Sequence, residues 1–107
     1  RLISLGATLV SDDRTLVTAE AGQLIARCPS PAIHGLIEAR GIGLLRAPTG
    51  DRARVELVVD LGQVETQRMP PRRKATIKGC SLDLVLQAQN DHFPDAVMLY
   101  LRHGRQA

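Results

Sequence analysis

The chain has no tryptophan, one tyrosine and one phenylalanine, an aromatic content of 2%. Binding of single-stranded nucleic acid relies on aromatic platforms for the bases. Their scarcity argues against such a partner and leaves Val, Leu and Ile to fill the core. Two cysteines, Cys28 and Cys80, stand far apart with no C-x-x-C spacing and no neighbouring His pair. Neither a zinc site nor a disulfide framework is indicated, and a reducing cytoplasm is the expected compartment. No stretch approaches the roughly 18 consecutive apolar residues of a membrane span, and no signal-peptide pattern opens the chain. A membrane partner is therefore not expected. His34, His92 and His103 share no ligand spacing and read as surface or capping residues.

Charge of one sign is also in short supply. The net charge is +3 and the isoelectric point near 9.4, a mild basic excess that favours anionic ligands or acidic partners without selecting either. Arg68 and the run Arg72, Arg73, Lys74 form the only basic concentration. A run of that size is more often a solvated surface than a nucleic-acid patch.

What remains is an ordinary apolar fraction, 44% of 107 residues, enough for one small domain spanning residues 1–107. The opening "RLISLG" reads as the last turn of a helix closed by Gly6, which implies further helix upstream and a chain that is part of a larger catalytic layer. Ala7 to Val10 then reads as a buried strand ending in Asp12 and Asp13. Thr15–Ala19 and Gln23–Arg27 flank "EAG" as a hairpin. "CPSPA" breaks regular structure, residues 32–37 suit a helical turn, and Ile42–Leu45 is extended. "RVELVVDL", residues 54–61, is continuous enough in apolar character for a buried central strand. "KATIKGCSLDLVLQ" gives two short strands bent at Gly79, and "HFPDAVMLYLRHG" a C-terminal helix with Pro94 and Asp95 at its start and Arg102 and His103 at its end. The order predicts an α/β or α+β layer.

Two constellations could carry chemistry. Adjacent carboxylates at the C-terminal end of a strand occupy the position where open α/β sheets bind ligands, and Asp12 and Asp13 answer that description. Taken alone, the pair has a commoner use, one aspartate closing a turn and the other solvated. Glu38 and Arg40, two apart in an extended segment, point to one face, with Gly41 and Gly43 behind them to let a ligand or backbone approach. A carboxylate for a divalent cation and a guanidinium for a phosphate are half of a phosphoryl-transfer site. The commoner use of such a pair is a surface ion pair beside a turn. Asp60, ending a strong strand, reads as a turn residue.

Read together, "LGATLVSDDRT" and "IHGLIEARGIGLL" resemble the HPr kinase/phosphorylase family, bacterial enzymes that phosphorylate a serine of the phosphocarrier protein HPr. The family signature has the form E-[IV]-R-G-[LIV]-G-[IL]; Glu38, Arg40, Gly41, Ile42, Gly43 and Leu44 match it and Ala39 departs from it. The similarity extends through "VELVVDL" and "RMPPRRKATIKG", and is greatest to the short form without the N-terminal domain. It implies an α/β, phosphoenolpyruvate-carboxykinase-like P-loop kinase fold, present here as a truncated, mainly-β portion with a C-terminal helix. It also implies ATP and Mg²⁺ as cofactors, an HPr-like partner and a homo-oligomer. By position, Asp12 is implied as the catalytic base, Asp13 and Glu38 as the groups positioning metal and phosphates, and Arg40 as the cation that stabilises the transferring phosphoryl group. The family's P-loop is expected upstream of Arg1. "QAQNDHFPD" stands where longer members carry an Arg- and Gly-rich loop tied to dephosphorylation, which speaks against phosphorylase activity. The rival readings are a non-catalytic HPr-binding or regulatory module with the same fold, and a small basic nucleic-acid-binding domain.

Overall fold

The computed structural model describes residues 1–107. Local signals explain much of it. Ile3–Leu5 forms a 3₁₀ turn closed by Gly6 in the left-handed region, φ 106°. Strand β1 (Leu16–Glu20) pairs antiparallel with β2 (Gln23–Arg27). The two residues between them, Ala21 and Gly22, both have positive φ, 51° and 77°, the geometry that matches the right-handed twist of a two-residue hairpin. Strand β3 (Leu36–Ala39) pairs with β4 (Gly43–Arg46) around the three-residue loop Arg40–Ile42. Strands β5 (Arg52–Arg54) and β6 (Leu57–Val64) follow. Strands β7 (Arg73–Ile77) and β8 (Cys80–Gln87) form a second tight hairpin across Lys78 and Gly79, φ 49° and 78°. Helix α1 (Phe93–His103) has Pro94 in its first turn, Asp95 near its positive end and Arg102 and His103 near its negative end.

These elements make three small sheets, in the orders β1-β2-β5, β3-β4 and β6-β8-β7. The core lies where the first sheet meets the third. Leu24 of β2 and Cys80 and Leu82 of β8 are buried together, with Val17, Val55, Val58 and Ile77 packed around them. Helix α1 is tied to β8 by the Tyr100 hydroxyl, which donates to Asp83 Oδ2 at 3.0 Å. It is tied to the N-terminal turn by an Arg1–Asp95 ion pair at 3.0 Å and by Arg102 Nη2 donating to the Leu5 carbonyl at 2.8 Å. Only six of the 107 residues are buried, so each core side chain carries a large share of the packing. No helix is long and apolar enough to cross a membrane. Both cysteines are free.

Four expectations need correction. Ala7–Val10 is not a buried strand: Leu9 makes a single parallel bridge with Thr49, held by Leu9 N–H to Pro48 O (2.6 Å) and Gly50 N–H to Leu9 O (3.0 Å). No other strand lies beside it to extend the ladder. Residues 54–61 divide between two sheets, the chain leaving β5 at Arg54 and entering β6 at Leu57. β6 is an edge strand, and the central position belongs to β8. A continuous apolar run fits either place, because parallel pairing with β8 covers one edge of β6 and leaves Leu61 and Val64 exposed. Finally, residues 31–35 form turns, but β3 already begins at Leu36, whereas the two strands expected on either side of Gly79 are β7 and β8, joined there by the hairpin turn. The architecture as a whole is mainly β with one C-terminal helix.

Candidate functional site

Pairing of Leu9 with Thr49 brings the segment after it close to the β3–β4 hairpin. Ser11 Oγ donates to the Arg14 carbonyl and Thr15 Oγ1 to the Asp12 carbonyl at 3.5 Å. These side-chain bonds stand in for a ladder and fold residues 11–15 into a compact bend. The bend directs Asp12, Asp13 and Arg14 to a cavity of about 290 Å³ that Glu38 also lines. Its apolar wall is Ile33, Leu36 and Leu44. Three carboxylates separated by about 25 residues of sequence therefore face one space, and a guanidinium accompanies them.

Glu38 reaches that space because β3 alternates. Its neighbours Ile37 and Ala39 are half-buried and Glu38 is exposed, opposite Leu44 across the hairpin. Arg40 does not share its strand. β3 stops at Ala39, and Arg40 is the first residue of the connecting loop, which Ile42 N–H closes onto Ala39 O at 2.9 Å. It is not among the residues lining the cavity. The same-face argument for Glu38 and Arg40 fails because it requires an extended backbone at both positions.

The glycines also act differently from the expectation. Gly41 and Gly43 have φ of 84° and 135°, and a β-carbon on either would meet nothing within 4 Å. They are needed for backbone conformation, which a three-residue hairpin loop imposes, and not to clear space for a close neighbour.

None of the six ion pairs of the chain involves Asp12, Asp13, Arg14, Glu38 or Arg40. The carboxylates of this cavity are exposed and uncommitted. Nowhere do three or more His, Cys, Asp or Glu side chains gather closely enough to cage a metal ion. Asp12, Asp13 and Glu38 are the groups here that could hold a divalent cation, which commonly binds through one or two carboxylates together with waters and substrate phosphates.

Arg14 is the residue that reading the sequence missed. Its position directly after the acid pair is the one available signal, and a bend rather than a strand end is what sets it, still exposed, at the cavity wall.

No family model matches the chain, and no curated protein matches it. Among solved structures it is similar to the Hpr(Ser) kinase/phosphatase from Coxiella burnetii, with a TM-score of 0.76 and 28% sequence identity over 94% of this chain and 73% of that one. The likeness supports, at the level of fold, the family that the Asp-Asp and Glu-x-Arg-Gly-x-Gly segments resemble.

Proposed function

We propose that the chain is the acceptor- and phosphate-facing part of an ATP-dependent serine kinase acting on an HPr-like phosphocarrier protein, within a phosphoenolpyruvate-carboxykinase-like P-loop kinase fold. The observation that carries this reading is the convergence of Asp12, Asp13 and Glu38 on one cavity, in a chain similar to an Hpr(Ser) kinase/phosphatase. Phosphoryl transfer depends on placement and charge neutralisation, and needs a base, carboxylates for a metal and a cation around one point.

In this reading Asp12 would accept the proton of the acceptor serine as the serine oxygen bonds to the γ-phosphorus of ATP and the bond from that phosphorus to the bridging oxygen breaks, ADP being the leaving group. Asp13 and Glu38 are the carboxylates that would hold Mg²⁺, which when bound neutralises charge on the phosphates of ATP. Arg14, which lines the cavity, would supply a cation there, and Arg40, in the hairpin loop and outside the lining, would contact phosphate or acceptor from beyond it. The exposed Ile42 and Leu44 on the same hairpin support a protein partner there, either the acceptor or a second copy of the chain.

The test is serine phosphorylation of an HPr-like acceptor by a chain carrying a P-loop upstream of Arg1. Asp12→Asn is expected to lose transfer while keeping nucleotide affinity; transfer at a near wild-type rate removes the assignment of the base. Arg40→Lys and Arg14→Gln compared in the same assay show which guanidinium serves the phosphoryl group. The absence of Arg40 from the cavity favours one alternative, a non-catalytic HPr-binding module. That reading predicts acceptor binding with no transfer in the same chain.

A further inference from the structure

His34 is half-buried and belongs to neither candidate constellation, yet it stands where the two sides of the Asp12 cavity are joined. One side is the segment that runs from Leu9 into Asp12, Asp13 and Arg14; the other is Ile33, Leu36 and Glu38. No hydrogen bond or ion pair runs directly from residues 7–15 to residues 33–46. Both sides are held instead by residues 47–50, in the connection from β4 to β5. On the acid side, Leu9 N–H donates to Pro48 O at 2.6 Å and Gly50 N–H to Leu9 O at 3.0 Å. On the hairpin side, Ala47 N–H donates to Gly35 O at 3.0 Å and His34 Nε2 lies 3.0 Å from Gly50 O.

A carbonyl oxygen only accepts, so Nε2 carries the proton and the ring is the donor. Gly50 thus holds the acid segment with its N–H and the hairpin side with its C=O, and His34 is the side chain that completes the joint. The levers from it are short: Leu9 is three residues before Asp12, and His34 four before Glu38. The joint is also tight, for Gly35 is buried and a β-carbon there would meet Thr49 Cγ2 at 2.9 Å. With so little slack, a change in how residues 47–50 sit changes the separation of the acids from Glu38.

We propose that His34 is a positioning residue of this site. Its bond to Gly50 sets Asp12 and Asp13 against Glu38, and with them the geometry in which the three share a divalent cation and phosphates. The joint itself is independent of the kinase reading, whereas its effect on phosphoryl transfer rests on that reading.

Two variants test it. His34→Leu removes the donor at similar volume, and His34→Gln keeps an amide N–H of similar reach. In NMR amide exchange on the chain, His34→Leu should speed exchange at Leu9 and Gly50 about tenfold, with the β7–β8 ladder unchanged within about twofold. His34→Gln should return both amides towards wild type. In the chain carrying a P-loop, His34→Leu should lower kcat for serine phosphorylation about 10- to 100-fold with KM for ATP within about twofold, and His34→Gln should recover most of it. Exchange at Leu9 and Gly50 within about twofold of wild type overturns the proposal, as does an equal acceleration throughout the β7–β8 ladder. So does a His34→Gln protein no better than His34→Leu. If Asp12→Asn loses transfer while His34→Leu keeps it, the positioning role is overturned and the kinase reading stands. If Asp12→Asn itself keeps transfer, the kinase reading fails and the exchange result alone decides the joint.

Discussion

In the β6–β8–β7 sheet and its surroundings, two acids, Glu65 and Asp83, are answered by bases. Arg73 and two backbone N–H groups hold Glu65, and Lys74 and the Tyr100 hydroxyl hold Asp83. Around the Asp12 cavity no carboxylate has an ion-pair partner, and the adjoining hairpin shows Leu44 and Ile42 at 70% and 78% exposure. One region commits the carboxylates of Glu65 and Asp83 to its own structure, and the other leaves Asp12, Asp13 and Glu38 available. An exposed, uncommitted charge does little for stability, so its use is sought in what it contacts from outside.

Four experiments break or sharpen this contrast. The largest effect is expected from Asp12→Asn in the kinase assay, a loss of about 10²–10⁴-fold in transfer, the range typical of a positioned general base. Its melting temperature should match wild type, since Asp12 is exposed and unpaired; a large drop in stability would move Asp12 into the framework.

Next is Leu24→Ala, at the most buried side chain of the molecule, 2% exposed. A loss of about 2–5 kcal/mol is expected by chemical denaturation. Leu44→Ser on the site hairpin should by contrast change stability by no more than about 0.5 kcal/mol. Equal losses would mean that the hairpin belongs to the core.

Gly79→Ala comes third. A β-carbon there meets nothing within 4 Å, but φ is +78°, so the cost is conformational, about 1–2 kcal/mol in thermal or urea unfolding. No cost would show that the β7–β8 turn readily adopts another form.

The smallest effect concerns acid. The bond from Arg73 holds the Glu65 carboxyl below the usual carboxylate range, Lys74 followed by Tyr100 does the same for Asp83, and Arg1 for Asp95. A depressed folded value means that the contribution is fully present above the ordinary carboxylate pKa, about 4. It is lost as pH falls from there through the folded values. The urea midpoint should therefore decline below about pH 4, and Arg73→Gln should flatten that decline. Tyr100 works at the other end: burial, then its bond to Asp83, pushes the hydroxyl up. Its contribution is present below the ordinary tyrosine range and lost as pH rises through the raised value.

Much of this was readable from short stretches. "EAG" between two β-prone runs specified the β1–β2 hairpin, "HFPD" and "RHG" marked the ends of α1 within a residue or two, and Gly6 marked the end of a helical turn. The acids and Glu38 were also legible as candidates, through their resemblance to a kinase family. Arg14 was not, because nothing in "SDDRT" distinguishes an arginine that lines a cavity from any other surface arginine.

The sequence by itself determined the turns, the helix ends and the residue types available for chemistry, since each depends on φ preferences and hydrogen bonds reaching only a few residues along the chain. Tertiary structure alone decided that β8 rather than β6 is central, and that Arg14 rather than Arg40 lines the cavity with Asp12, Asp13 and Glu38. Those outcomes depend on which distant segments share a sheet or a cavity wall. Local preference does not encode that choice, because an apolar run pairs as well at an edge as at a centre, and a charge points equally well to water or to a ligand.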